Sequence, residues 1–175
     1  MPHTIRTDRL LLRPPAPRDG APFARVVNDW EVTVSTGTWP YPVTPEYARF
    51  RFAQAARADP RTDRLFLICA GGAVVGSIGL HRRRGDVFGL GYWIGKAWWG
   101  RGLTTEAARA VCRHGFGVMR AGRIAADVFQ DNPASVRVLE KLGFVRAADP
   151  GPGWSATRGA SFPRHAYVAD RTALR

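Results

Sequence analysis

Cysteine and lysine are scarce in this chain, and no part of it is continuously apolar for long. The two cysteines, Cys69 and Cys112, stand far apart and in no CxxC or metal-ligand spacing. A disulfide scaffold and a cysteine-built metal site are excluded, no metal is expected, and the simplest setting is reducing and cytoplasmic. No run approaches the roughly 20 apolar residues that a membrane span needs. Residues 1–15, MPHTIRTDRLLLRPP, carry a short apolar patch without a small-residue cleavage site, so neither a membrane association nor a secretory leader is expected. Repeats, low-complexity tracts and dividing linkers are also missing. The 175 residues therefore read as one domain, 1–175, with a core of ordinary size.

What is present is arginine. Of the 26 basic residues only Lys96 and Lys141 are lysines, and the formal net charge is +12. Together with abundant Ala, Gly and Pro, this bias matches a GC-rich genome that writes arginine wherever a cation is wanted. The arginines are spread along the chain, and the one run, HRRRGD at 81–86, reads as a solvated hairpin tip. There is no helix-turn-helix and no basic motif interleaved with aromatics, so no specific nucleic-acid partner is expected.

Hydrophobic periodicity divides the chain into elements. RLLLR (9–13) reads as a first strand, ended by PPAP. Apolar residues at Phe23, Val26, Val27 and Trp30 make a helical face over 18–30. Prolines and a glycine exclude regular structure from 35–45, and Pro45 opens a second helix through about Ala58. RLFLICAGG and AVVGSIGLH read as strands joined at Gly71-Gly72, and DVFGLGYWIG as the next strand. A helix to about Met119, a strand at 123–129, a helix at 132–142 with Gly143 as its C-terminal glycine, and a strand FVRAA follow. Residues 149–163 read as loop, and HAYVA (165–169) as a last strand. The order predicts an α/β (α+β) domain on one partly antiparallel sheet.

The stretch YWIGKAWWGRGLTTEAARAV (92–111) is the one that carries chemistry. It runs from a strand through a short glycine-bearing loop into a helix. The first N–H groups of a helix lack intrahelical partners, and the macrodipole adds positive potential there. Gly100 and Gly102 let the backbone curl close to an anion, Arg101 adds a cation, and Thr104 and Thr105 add hydroxyls. The pattern is neither GxxxxGK[ST] nor GxGxxG. A phosphate loop and a plain tight turn before a core helix both fit it. On that helix Leu103, Ala107, Ala110 and Val111 face the sheet, and Glu106, Arg109 and Arg113 form a solvated stripe.

WWGRGLTTEA resembles the acyl-CoA pyrophosphate loop of the GNAT superfamily of N-acetyltransferases, Q/R-x-x-G-x-G/A, with Trp99 at the Q/R position, Gly102 at the G and Thr104 at the final G/A. It is most similar to the branch that acetylates ribosomal-protein N-termini at alanine or serine. NPASVRVLEKLGF (132–144), about 30 residues downstream, resembles that branch's N-x-x-S-x-x-x-x-E-K-x-G-F signature. RTDRLLLRPP and WPYP extend the likeness over nearly the whole chain. The resemblance implies a central mixed, mostly antiparallel sheet of six to seven strands with splayed central strands and about four flanking helices. It implies acetyl-CoA as co-substrate and direct transfer to a primary amine in a ternary complex. Gly91, Tyr92, Trp93 and Ile94 would pair through their backbone with the pantetheine arm and supply oxyanion donors. Trp99, Gly100, Arg101, Gly102, Leu103 and Thr104 would receive the pyrophosphate. Asn132 would bond the pantetheine arm, although Asn before Pro133 equally makes a local helix cap.

For catalysis the resemblance points to Ser135 as general acid, and its tyrosine seven residues after the Asn is here Leu139. The branch's glutamate before the Gly-Tyr pair is here Gly89. Asp127, on the following strand, is the substitute base, with pairing to an arginine as its alternative; His81 and Asp86 are further candidates. Cys69 and Cys112 read as core residues, not nucleophiles. Trp39 and Tyr41 are candidate walls of the acceptor channel. The acceptor is a peptide N-terminus or a small amine, on a monomer or homodimer. An acetyltransferase for an antibiotic or other small molecule, and a catalytically weak CoA-binding domain, are the alternatives.

Overall fold

The computed structural model describes residues 4–174, so the predicted leader-free N-terminus and the limits of the domain lie partly outside the described residues. The strand expected over 9–13 is present, shortened to β2 (Leu11–Arg13), and a further short strand that was not expected, β1 (Ile5–Arg6), precedes it. Thr7 turns the chain between them: its N–H donates to the Leu10 carbonyl and its Oγ1 accepts Leu10 N–H, both at 3.0 Å.

The predicted helix over 18–30 is broken. A 3₁₀ turn (Pro17–Asp19) leads into α1 (Gly20–Val27), and a separate turn α2 (Trp30–Thr33) follows. Asn28 stops the first helix by clamping the Val43 backbone from both sides, each bond 2.7 Å, and Asp29 caps the next turn at Glu31 N. Side chains that offer the backbone an alternative partner win here over the apolar period. Trp30 is left half-exposed against Tyr41 instead of in the core. Helix α3 (Pro45–Arg57) starts as expected, with Thr44 accepting Tyr47 N–H and Pro45 in the first turn.

Strands β3 (Asp63–Ala70), β4 (Ala73–Arg84) and β5 (Val87–Ile94) form an antiparallel meander whose first turn holds Gly71 and Gly72 at φ +56° and +82°. The HRRR run ends β4 at the predicted hairpin tip. A 3₁₀ turn (Lys96–Trp98) and a glycine loop lead into α4 (Leu103–Gly117). Then come β6 (Arg123–Phe129), α5 (Pro133–Lys141) and β7 (Val145–Arg146). The end of α5 is a Schellman motif: Gly143 at φ +89°, with Phe144 N–H on Leu139 O and Gly143 N–H on Glu140 O, both 3.0 Å. The segment expected as loop holds a hairpin, β8 (Gly153–Ser155) and β9 (Ala160–Phe162), before β10 (Arg164–Asp170). Its strands are three residues each and pair only with each other, too short for a periodic signal. Arg158 pins it down, stacking on Phe162 and bonding Val34 O and the Asp131 carboxylate.

Among the described residues the main sheet has the order β1-β2-β3-β4-β5-β6-β10-β7, eight strands where six to seven were expected. Every pairing is antiparallel except β5 with β6. Alternation along the strands sends Phe66, Ile68, Ile78, Leu80, Phe88 and Leu90 to one face, under α4 and α5. The other face sends Leu67, Cys69 and Trp93 into a second core with Phe23, Val27 and Phe52 from α1 and α3. There Phe23 meets Trp39, Phe52 and Trp93 at ring-centroid distances of 4.8, 5.0 and 4.9 Å, each pair worth about 1 kcal/mol beyond its burial. Both cysteines are buried and free, as read from the sequence. Among the described residues no helix is long and apolar enough to cross a membrane, and no cluster of ligand residues fits a metal ion.

Candidate active site

The one parallel pairing creates the site. β5 and β6 are laddered only at Val87–Arg123, Phe88–Ile124 and Gly89–Ala125. Beyond Gly89 they part, and β6 continues on β10 alone. The β6-facing backbone groups of Leu90–Ile94 thus have no strand partner, which is what an extended ligand adding itself as a strand requires. The predicted splayed central strands are present.

A cavity of about 830 Å³ follows this gap from the glycine loop to the far side of the sheet. At one end Gly100 and Gly102 adopt φ +74° and +73°, the left-handed region that the loop requires. Among the described residues no side chain caps α4. Its first internal bond is Glu106 N–H to Gly102 O, so the N–H groups of Leu103, Thr104 and Thr105 stay free to meet an anion at the cavity wall. Trp99 acts locally, its indole N–H donating to Ile94 O at 2.8 Å and tying the loop to the end of β5. Arg101 lies over the Trp98 ring, and its carbonyl accepts from Arg9. Glu106 departs from the solvated stripe expected of it, because it holds Thr7 Oγ1 at 2.6 Å and the Arg9 guanidinium at 2.7 Å. Sequence reasoning missed Arg9, Arg137 and Lys141. The last two lie an i, i+4 step apart on the cavity side of α5, a spacing that was readable.

Where α5 begins, three candidates come together. Asn132 Oδ1 accepts Ser135 N–H at 3.1 Å, the local cap, while Nδ2 has no hydrogen bond among the described residues and Asn132 lines the cavity. Ser135 Oγ lies 2.7 Å from Tyr92 Oη. Tyr92 had been expected to act through its backbone; its side chain is the unforeseen member. Burial raises the phenol well above its ordinary pKa, against the smaller pull of the Ser135 bond, so the hydroxyl keeps its proton. Leu139, at the position of the absent tyrosine, is fully buried core.

Across the gap, Asp127 lines the cavity with each carboxylate oxygen on an arginine, Oδ1 to Arg83 and Oδ2 to Arg164, both 3.2 Å. The arginine pairing foreseen as its alternative is the one observed. Trp39 lines the cavity; Tyr41 does not, its ring standing edge-on to Trp30 at 5.5 Å. Trp93 lines it as well, although its indole ring packs into the second core against Phe23 and its buried N–H has no partner among the described residues. Burial lifts the Cys112 thiol to about 12 and raises Cys69, leaving neither as a thiolate nucleophile.

The profile of the Acetyltransferase (GNAT) domain matches residues 9–145, and the chain belongs to that family. It is 26% identical over 147 residues to the uncharacterized N-acetyltransferase p20 of Bacillus licheniformis, covering 82% of this chain and 83% of p20. It is 42% identical to the uncharacterized protein YkkB of Bacillus subtilis over 57 residues, a stretch that spans only a third of either chain. Among solved structures it resembles Mycobacterium smegmatis RimJ in complex with CoA-disulfide, at a TM-score of 0.81 and 21% identity over 98% of this chain and 87% of that one. That likeness establishes the fold.

Proposed function

We propose that this protein is an acetyl-CoA-dependent N-acetyltransferase that passes the acetyl group directly to a primary amine. The observation that carries this reading is the continuity of one cavity. It joins the uncapped N-terminus of α4, the unpaired edge of β5 and the Tyr92–Ser135 pair.

Bound acetyl-CoA supplies an acyl carbon activated as a thioester; the chain supplies the rest. The N–H groups of Leu103, Thr104 and Thr105 and the loop from Trp99 to Gly102 hold the diphosphate. Over Gly91, Tyr92, Trp93 and Ile94 the edge of β5 that faces away from β4 takes the pantetheine arm and gives an N–H to the oxyanion, while Ile94 O stays with the Trp99 indole. Asn132 Nδ2 bonds the same arm. Ser135, backed by the protonated Tyr92, gives a proton to the departing sulfur. Asp127, clamped by two arginines, shapes the polar wall of the acceptor side.

The acceptor is a peptide N-terminus or a small amine-bearing molecule. A polycationic acceptor fits poorly, because Arg51, Arg64, Arg137 and Lys141 line the cavity. Thiol release should be followed across seryl and alanyl peptides and small primary amines, with mass spectrometry of the products. An acetamide product on at least one amine supports the reading; binding of acetyl-CoA with no acetamide on any amine would make this a CoA-binding domain instead.

A further inference from the structure

We propose that His81 is the general base of this site, taking the proton of the acceptor's ammonium, with Asp63 as its positioning partner on the neighbouring strand. The assignment rests on the N-acetyltransferase reading and names the residue which that reading leaves open.

His81 stands opposite Gly89 in the β4–β5 ladder. A Cβ on Gly89 would lie 2.4 Å from His81 Cε1, 2.5 Å from its Nε2 and 2.6 Å from Arg83 Nε, so the imidazole and the edge of the Arg83 guanidinium share the space above that glycine. Gly89 is also the last β5 residue laddered to β6, and the gap opens immediately after it. At the next position on this face, Gly91, nothing lies within 4 Å of where a Cβ would be. β5 thus places no side chain between the ring and the mouth of the gap, and His81 lines the same cavity.

Elimination agrees with placement. Of the cavity's other proton acceptors, Glu31 is paired with Lys96, Asp127 with Arg83 and Arg164, and Tyr92 is held protonated; Asp63 stands one strand further from the gap than His81, on β3 behind β4. The charged groups facing His81 are Asp63 on β3, Arg83 on β4 and Asp127 on β6. Loss of hydration and the charge of Arg83 hold the imidazole below its ordinary pKa, against the two carboxylates. The ring is therefore neutral above about pH 6.5, in the form that accepts a proton, and it is exposed enough for an amine to reach. Asp63 is its register partner on the same face, placed to steady the imidazolium once formed.

In the step itself, R–NH3+ gives one proton to the unprotonated ring nitrogen. The freed lone pair forms the C–N bond at the thioester carbonyl carbon, and the carbonyl π pair moves to oxygen. When the C=O bond re-forms, the C–S bond breaks. The second proton on nitrogen passes to the Ser135–Tyr92 pair as that pair gives one to the sulfur, so the hydroxyls end as they began. The products are an amide, a thiol and one proton, which His81 returns to water.

The test compares wild type, His81→Gln and Asp63→Asn, using acetyl-CoA with a seryl peptide and with glycinamide as amine probes. Wild-type kcat should rise with pH through an ionisation below 6.5. His81→Gln should lose that limb and about 100-fold or more in kcat, with acetyl-CoA affinity by calorimetry unchanged. Asp63→Asn should move the limb to lower pH and keep more of the rate. A His81→Gln protein with wild-type rate and the same limb overturns the assignment alone. A wild type that binds acetyl-CoA but acetylates no amine overturns the N-acetyltransferase reading and this assignment with it.

Discussion

Tyr92 Oη and Ser135 Oγ lie 2.7 Å apart and join the strand that edges the gap to the first turn of α5. The contact spans both motifs on which the sequence reading rested. If the pair delivers a proton to sulfur, Ser135→Ala and Tyr92→Phe should each lower kcat about 100-fold while leaving acetyl-CoA affinity intact. The double variant should be little worse than the poorer single one, since coupled groups do not add. Independent, additive losses would mean that the hydroxyls do not act as a unit.

Gly102, at φ +73°, sets the entry into α4. Gly102→Val forces a β-branched residue into the left-handed region, a cost of about 1–2 kcal/mol that the loop relieves by turning its amides away. Acetyl-CoA affinity should fall about tenfold by calorimetry. An unchanged affinity would remove the loop from the cofactor site.

Gly91 has open space where a side chain would stand, and its φ lies outside the left-handed region. Gly91→Val should fold with wild-type stability by chemical denaturation, yet lose most turnover because the side chain enters the acceptor's path. Full activity in this variant would place the acceptor elsewhere.

Asp19 is buried at 4% exposure and gripped by both nitrogens of Arg13, at 2.7 and 2.8 Å. Burial alone would raise its pKa, but the Arg13 fork and the Ala16 N–H outweigh that and hold it below 3.8. A depressed carboxylate stabilises the fold above its unfolded pKa, near 4, and that contribution fades as pH falls through the lower folded value. Asp19→Asn should therefore cost about 3 kcal/mol at pH 7 by denaturant titration. The gap from wild type should narrow at about pH 3 and below. A difference independent of pH would show that packing, not charge, accounts for the loss.

Much of the fold was readable because its long elements have clean periods and chemical punctuation. β6 matches its predicted range of 123–129, and α3 and α5 begin at the prolines that announce them. The misses are places where a single side chain outweighs periodicity. Asn28 breaks a helix by clamping Val43, and the Thr7 turn lets a strand too short to show a period, β1, pair with β2. The β8–β9 hairpin depends on Arg158 reaching Val34 and Asp131, contacts that span 124 and 27 residues and leave no local signal. The site divides in the same way. The glycine loop was legible because φ > 0 demands glycine, whereas the Tyr92 hydroxyl and the ring of His81 over Gly89 depend on strand register.

The central claim is that bare amides at the start of α4 grip the diphosphate of a coenzyme. Calorimetric titration of the purified protein with CoA and with pantetheine, which lacks the diphosphate, tests it most directly. Saturable binding of CoA to a single site, with pantetheine at least about 100-fold weaker, is the expected result. Equal affinity for the two, or no heat with CoA, would contradict it.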